Sequence, residues 1–182
     1  NVVGTVAVTQ TLLPLLRLGN GRVVNMSSTS GRMAWPMFGL YAASKFAVEA
    51  LSDALRMELA PWGIHVSAIE PGSTATGIWS RSFAYRDQLL DTVPESSVGL
   101  YRQFIQSACD MAAGAGKQGI SPAYVARAVE HALTSRRPKA RYLVGMDARF
   151  VDYVFRPLPD RVRDWVVFRL LKTLTGGVPS TK

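Results

Sequence analysis

The sequence predicts an α/β fold, a parallel sheet covered by helices on both faces. Three observations carry that expectation. The short runs RVVNM at 22–26, IHVSAI at 64–69 and RYLV at 141–144 have the composition and length of strands. The stretches between them place apolar residues at helical spacing. Helix and strand alternate along the chain, with no internal repeat and no low-complexity tract.

Residues 2–18 read as the first helix, ending near Gly19 and Gly21. The strand at 22–26 opens into the small polar residues Ser27, Ser28 and Thr29. Residues 41–60 form a long helix whose apolar face includes Phe46, Val48, Leu51, Leu55 and Leu59; Pro61 and Gly63 stop it. In the strand at 64–69, apolar residues alternate with His65 and Ser67, and Glu70, Pro71 and Gly72 read as the closing turn. Residues 73–120 are less regular, with helices expected around 80–91 and 97–113 and then a Gly-rich loop. Ser121 and Pro122 suit a helix start, as N-cap and first-turn residue, and that helix runs to about 135. The strand at 141–144 precedes Gly145, and 160–175 reads as an amphipathic helix. Three strands are too few for a doubly wound sheet, and the chain begins on Asn1 inside a helical pattern. The N-terminal half, with the first strands and a Gly-rich turn, is therefore expected upstream of Asn1.

Hydrophobic residues make up 48% of the chain and the mean hydropathy is +0.10, which excludes disorder. No apolar run approaches the ~20 residues a membrane helix needs. A signal-peptide pattern is absent. Cys109 is the single cysteine, so no internal disulfide forms; a reducing, cytoplasmic setting fits, and Cys109 reads as an inert apolar residue. The net charge of +8 gathers late, at Arg136, Arg137, Lys139 and Arg141 and again through Arg149 to Lys172. No nucleic-acid motif accompanies it, so it reads as a solvated basic face and nucleic acid is not an expected partner. His65, His131 and Cys109 make no zinc cluster, and no metal is expected.

The chemistry concentrates in YAASK, where Tyr41 and Lys45 share one face of a helix. A phenol normally titrates near ~10, too high for acid/base work at neutral pH, and an adjacent fixed cation favours its ionised form. Ser28 lies thirteen residues before Tyr41, just after a strand, where its hydroxyl can hold a substrate oxygen. Pro71 and Gly72 follow the next strand, with Thr74 and Thr76 close behind. All of these fall at strand C-termini or helix starts, where open α/β sheets bind ligands. Gly114, Gly116 and Gly119 satisfy GxGxxG but lack a preceding strand, so they read as a loop and not a dinucleotide fingerprint.

The segment GRVVNMSSTSGRMAWPMFGLYAASK, the opening NVVG and the later IEPGSTAT resemble the short-chain dehydrogenase/reductase family over nearly the whole chain. The resemblance implies a Rossmann-like, doubly wound parallel sheet and a single NAD(P)-binding domain, of which 1–182 is the C-terminal catalytic part. It implies an oxidoreductase moving hydride between NAD or NADP and an alcohol or ketone. In that family's pattern Tyr41 is the acid/base and Ser28, picked over Ser27 by the spacing to Tyr41, steadies the substrate oxygen. Lys45 binds the nicotinamide ribose and Asn1 supports a proton-relaying water chain. Pro71, Gly72, Thr74 and Thr76 border the nicotinamide. Residues 77–120, with Ile78, Trp79, Phe83, Tyr85, Leu89, Leu100, Tyr101 and Phe104, are expected to form a substrate lid. The stretches LSDALRMELAPWGIHVSAIEPG and RRPKARYLVG are similar to the retinol- and hydroxysteroid-dehydrogenase-like branch, which implies a lipophilic substrate. The competing class is a non-catalytic binding or regulatory module that kept the fold, or an inactive fragment; intact Ser28, Tyr41 and Lys45 argue against it. The tail 157–182 places Trp165, Phe168 and Leu170 among Arg and Lys, which suits peripheral membrane contact, a sheet edge or a subunit partner. The apolar faces of 2–18 and 41–60 suit pairing into a homo-oligomer.

Overall fold

The computed structural model describes residues 1–78, 86, 88 and 90–175. Helix α1 (Val3–Leu18) leads to strand β1 (Arg22–Met26), and a 3-10 turn (Thr29–Gly31) precedes helix α2 (Gly39–Leu59). A second 3-10 turn (Ala60–Trp62) ends at Gly63, whose φ of +67° places it in the left-handed region that favours glycine. Strand β2 (His65–Pro71), helices α3 (Glu95–Gln118) and α4 (Pro122–Thr134) and strand β3 (Arg141–Val144) follow. Helix α5 (Met146–Phe150) continues into a π-helical turn (Val151–Phe155), and α6 (Asp160–Thr175) comes last.

The three strands form one parallel sheet in the order β1-β2-β3. Met26 pairs with Ile69, and Pro71 with Val144, so the strand C-termini share one edge. Side chains of β2 alternate between two cores, as the pleat requires. Val66 packs with Ile64, Leu59, Leu55, Leu13 and Leu16, beneath α1 and α2. Ile69 packs with Ala132, Val125 and Val129 of α4 on the opposite face. A third cluster, around Met33, Phe155, Val167 and Leu171, joins the loop after β1 to α6 and takes in Trp35 and Phe104.

Several expectations need correction. The strand at 64–69 runs on through Pro71, so Glu70 lies within β2, opposite Leu143, and the turn starts at Gly72. A buried carboxylate is tolerated there because two arginines reach it. The expected Gly-rich loop at 114–119 is helical through Gln118: α3 has 24 residues, and a Cβ on Gly114 would meet nothing within 4 Å. Each glycine costs such a helix only about 1 kcal/mol. The helix expected at 80–91 falls largely outside the described residues, as do Trp79, Phe83, Tyr85 and Leu89 of the expected lid and 176–182 of the tail. Cys109 is half-buried and accepts a hydrogen bond from Arg86 at 2.7 Å, so its surroundings are not purely apolar.

The basic face also divides. Arg141 is no solvated residue: its Nε lies 3.2 Å from Glu49 Oε2 and 3.3 Å from Glu70 Oε1, and its Nη2 pairs with Asp53. Arg32 completes the cluster with a bidentate pair to Glu70, at 2.9 and 3.0 Å. Glu70 is 0% exposed. Burial pushes its carboxyl above the ordinary carboxylate range, the Arg32 hydrogen bond pulls it back down, and Glu49 pushes it up again. Removing one partner of such a cluster strands the rest without water. Glu70→Gln is expected to cost about 3 kcal/mol of stability in urea unfolding, in the range for breaking a buried pair; a change below about 0.5 kcal/mol would contradict the role given to it here.

Candidate active site

Four segments meet at the C-terminal edge of the sheet. The first is the turn after β1. Ser28 is extended, with φ −168° and ψ 164°, and caps the 3-10 turn by accepting a hydrogen bond from Ser30 N at 3.2 Å. That bond orients the hydroxyl and leaves its proton free to be directed outward. Ser27, by contrast, is 3% exposed and points inward. Gly31 lets the turn settle on α2: a Cβ there would lie 2.9 Å from Ser27 Oγ and 3.0 Å from both Glu49 Cγ and the Lys45 carbonyl oxygen. Sequence reading did not single out Gly31, because its demand comes from α2 and not from its own φ.

The second segment is the first two turns of α2. Tyr41 is 39% exposed, whereas Lys45 is 8% exposed. The Lys45 ammonium lies 5.7 Å from the Tyr41 ring centroid and donates to the Met26 carbonyl at 2.9 Å, fixing it to the end of β1. Burial lowers the Lys45 pKa from its ordinary 10.5. Ser44 Oγ donates to the Tyr41 carbonyl at 2.7 Å and accepts from Asn1 Nδ2 at 3.1 Å. The structure therefore brings Asn1 onto the first turns of α2, at Ser44. Asn25 ties β1 to the same helix from within the core, donating to Ser52 Oγ at 2.9 Å.

The third segment is the turn after β2. Gly72 N donates to the Val144 carbonyl at 2.9 Å, and Thr74 Oγ1 donates to the Gly72 carbonyl at 3.1 Å. Pro71 closes β2 half-buried, and Thr76 lies exposed further along the same segment. The fourth segment, entering α5, brings Asp147, whose Oδ2 accepts from Ser73 N at 2.6 Å. Nothing in the sequence signalled Asp147, since its partner lies 74 residues away.

This donor set fits the nicotinamide half of a dinucleotide. An ammonium carries three donors, of which Met26 takes one, and the phenol beside it can donate or accept, so together they suit a ribose diol. Gly72 brings bare backbone to the same edge. No cluster of His, Cys, Asp or Glu suited to a metal occurs among the described residues.

The fold and site define an α/β protein whose candidate residues gather at the C-terminal edge of a parallel sheet, where open α/β sheets bind ligands. A family model described as short chain dehydrogenase matches residues 1–87. The chain is 38% identical over 178 residues to 17-beta-hydroxysteroid dehydrogenase type 6 of Bos taurus, covering 93% of this chain and 54% of that protein. It is 36% identical over 189 residues to retinol dehydrogenase 5 of Mus musculus, covering 94% and 55%. A solved short-chain dehydrogenase from Streptomyces avermitilis matches with a TM-score of 0.59 at 28% identity, over 97% of this chain and 59% of that one. The chain belongs to the short-chain dehydrogenase/reductase family, and its sheet is Rossmann-like. It spans about half the length of the curated relatives it matches.

The lowered pKa of Lys45 has a signed consequence. Between the lowered native value and 10.5, the unfolded chain holds more protons than the folded one, so stability rises with pH across that window. Wild type is expected to gain stability relative to Lys45→Met across that window. Parallel urea titrations at a series of pH values would show it, and parallel curves would count against a desolvated ammonium.

Proposed function

We propose that this protein is an NAD(P)-dependent oxidoreductase acting on an alcohol or ketone, with Tyr41 as the acid/base. The observation that carries the reading is the buried Lys45 ammonium, pinned to Met26 one helical turn from an exposed Tyr41 hydroxyl. A merely solvated lysine would hold neither that burial nor that bond.

NAD or NADP, when bound, supplies or accepts the hydride. In reduction Tyr41 gives its proton to the carbonyl oxygen; in oxidation it takes the proton from the alcohol. The Lys45 ammonium would hold the ribose beside the Tyr41 hydroxyl. Ser28 donates to the oxygen on which charge develops. Asn1, anchored through Ser44, is placed to order water leading away from the site. Pro71, Gly72, Thr74 and Thr76 would border the nicotinamide.

A lipophilic substrate, of the steroid or retinoid kind, is the reading we favour. The similarity to proteins named for hydroxysteroids and retinol supports it. So does α3 within the 77–120 lid, where Leu100 is 74% and Tyr101 55% exposed while Phe104 packs into the third core cluster. Exposed Val8, Leu12 and Leu15 on α1 and Phe46 and Met57 on α2 support pairing with a second copy.

In the whole protein, Tyr41→Phe should lower kcat by at least ~100-fold, the scale of lost acid/base catalysis, with the NAD(P)H dissociation constant nearly unchanged. Near-normal turnover by this variant would remove Tyr41 from the mechanism, whereas no turnover by the parent protein would favour a non-catalytic binding module.

We place the protein in the cytoplasm, with peripheral membrane contact through α6. That helix is apolar on two sides. Val167 and Leu171 face the core, whereas Trp165 and Phe168 are 59% and 48% exposed, and the Arg169 guanidinium lies 5.0 Å from the centre of the Trp165 ring. No helix among the described residues is long and apolar enough to cross a membrane. The double variant Trp165→Ala/Phe168→Ala should lose most co-sedimentation with phosphatidylserine-containing vesicles. Equal sedimentation of both proteins would assign that face to another role.

A further inference from the structure

We infer that Asp147 is a positioning residue for the cofactor turn, setting the backbone of residues 72–75 from across the sheet edge. The inference rests on the reading above, in which that turn borders the nicotinamide. It goes beyond that reading because Asp147 lies outside the motif and is brought there by β3.

Two walls hold the turn. On one side the Ile120 amide donates to the Ser73 carbonyl at 2.9 Å, and Ala75 N donates to the Ile120 carbonyl at 3.0 Å. On the other side Gly72 N donates to the Val144 carbonyl at 2.9 Å, and the next amide meets a carboxylate. Asp147 Oδ2 accepts from Ser73 N at 2.6 Å, while Oδ1 accepts from Ala148 N at 2.9 Å. Both backbone groups of Ser73 are thus spoken for, and its N–H depends on a side chain. Hydrogen bonds to an ionised acceptor are shorter and stronger than neutral ones, which fits this distance.

The two glycines flanking this contact leave the carboxylate its space. A Cβ on Gly72 would lie 2.1 Å from Asp147 Oδ1, and a Cβ on Gly145 would lie 2.4 Å from the same atom. Gly145 also holds φ +114°, where side chains are strained. At Gly72 no such φ applies, so the need for glycine there comes from Asp147 itself. The aspartate is exposed, and its carboxylate takes no part in the described hydrophobic clusters. Its removal therefore loosens the turn without opening the core.

The test uses the whole protein carrying this chain and the variants Asp147→Ala, Asp147→Asn, Gly72→Ala and Gly72→Ala/Asp147→Ala. Without cofactor, hydrogen exchange at the Ser73 amide should speed up about tenfold in Asp147→Ala, as one protecting hydrogen bond is lost. The NAD(P)H dissociation constant and the cofactor KM should rise about tenfold, with kcat within about threefold and the melting temperature within about 3 °C. Asp147→Asn should fall between the two, since its amide oxygen can still accept from Ser73 but cannot serve Ala148 as well. Gly72→Ala should weaken cofactor binding strongly in the parent and much less in the Asp147→Ala background, where the blocking oxygens are gone. Unchanged exchange and cofactor KM in Asp147→Ala, or additive effects of the Gly72 and Asp147 changes, would overturn the inference alone. Failure of the parent protein to bind NAD(P)H would overturn the proposed function and this inference with it.

Discussion

The interaction on which the rest depends is the burial of Glu70 between Arg32 and Arg141. A carboxylate stripped of water costs several kcal/mol and is tolerable only when charge and hydrogen bonds surround it. Each partner comes from a different part of the chain. Arg32 follows the Ser28 turn, Arg141 opens β3, and Glu49, which pairs with Arg141, sits on α2 four residues beyond Lys45. Asp152, 3.8 Å from Arg32, brings in the π-helical turn. Satisfying one buried group thereby fixes the positions of β1's exit, α2 and both neighbouring strands.

Directly above that cluster, the same elements present the chemical groups. Pro71 and Gly72 continue the strand that carries Glu70; Lys45 is one turn from Glu49; Ser28 is one short turn from Arg32. The rigidity matters because proton transfer and oxyanion stabilisation depend on geometry held to fractions of an ångström. Lys45 shows the trade directly. Its ammonium is desolvated and its pKa lowered, a stability cost accepted at the position where a fixed cation serves the phenol.

Close backbone approaches recur at the strand exits. Gly31 admits α2, and Gly72 and Gly145 admit the Asp147 carboxylate. At Gly31 and Gly72 the missing Cβ serves a contact from a distant segment, whereas at Gly145 the carboxylate comes from two residues on. Such contacts join the turns that carry Ser28 and Thr74 to α2 and α5, so small changes in either helix can reach the ligand edge.

The strands, α1, α2, α4 and α6 were legible in the sequence because their signals are local. Apolar spacing, the Ser121 cap and the Gly63 stop act within a few residues of where they lie. The Tyr41–Lys45 pair was legible for the same reason, since i and i+4 meet on any helix. The sequence by itself thus determined the parallel α/β class and nominated Asn1, Ser28, Tyr41, Lys45 and the turn at Gly72. Glu70 was misread as a turn residue, Arg141 as a solvated one and Gly114–Gly119 as a loop. In the first two cases the deciding partners lie 38 and 92 residues away; in the third, no local glycine signal outweighed the length of α3. Tertiary structure alone decided that Lys45 is buried on Met26, that Asn1 bonds Ser44, and that Asp147 closes on Ser73. The physical reason is that burial, ion pairing and close backbone approach are properties of segments brought together by the sheet, and no single segment carries them in its own sequence.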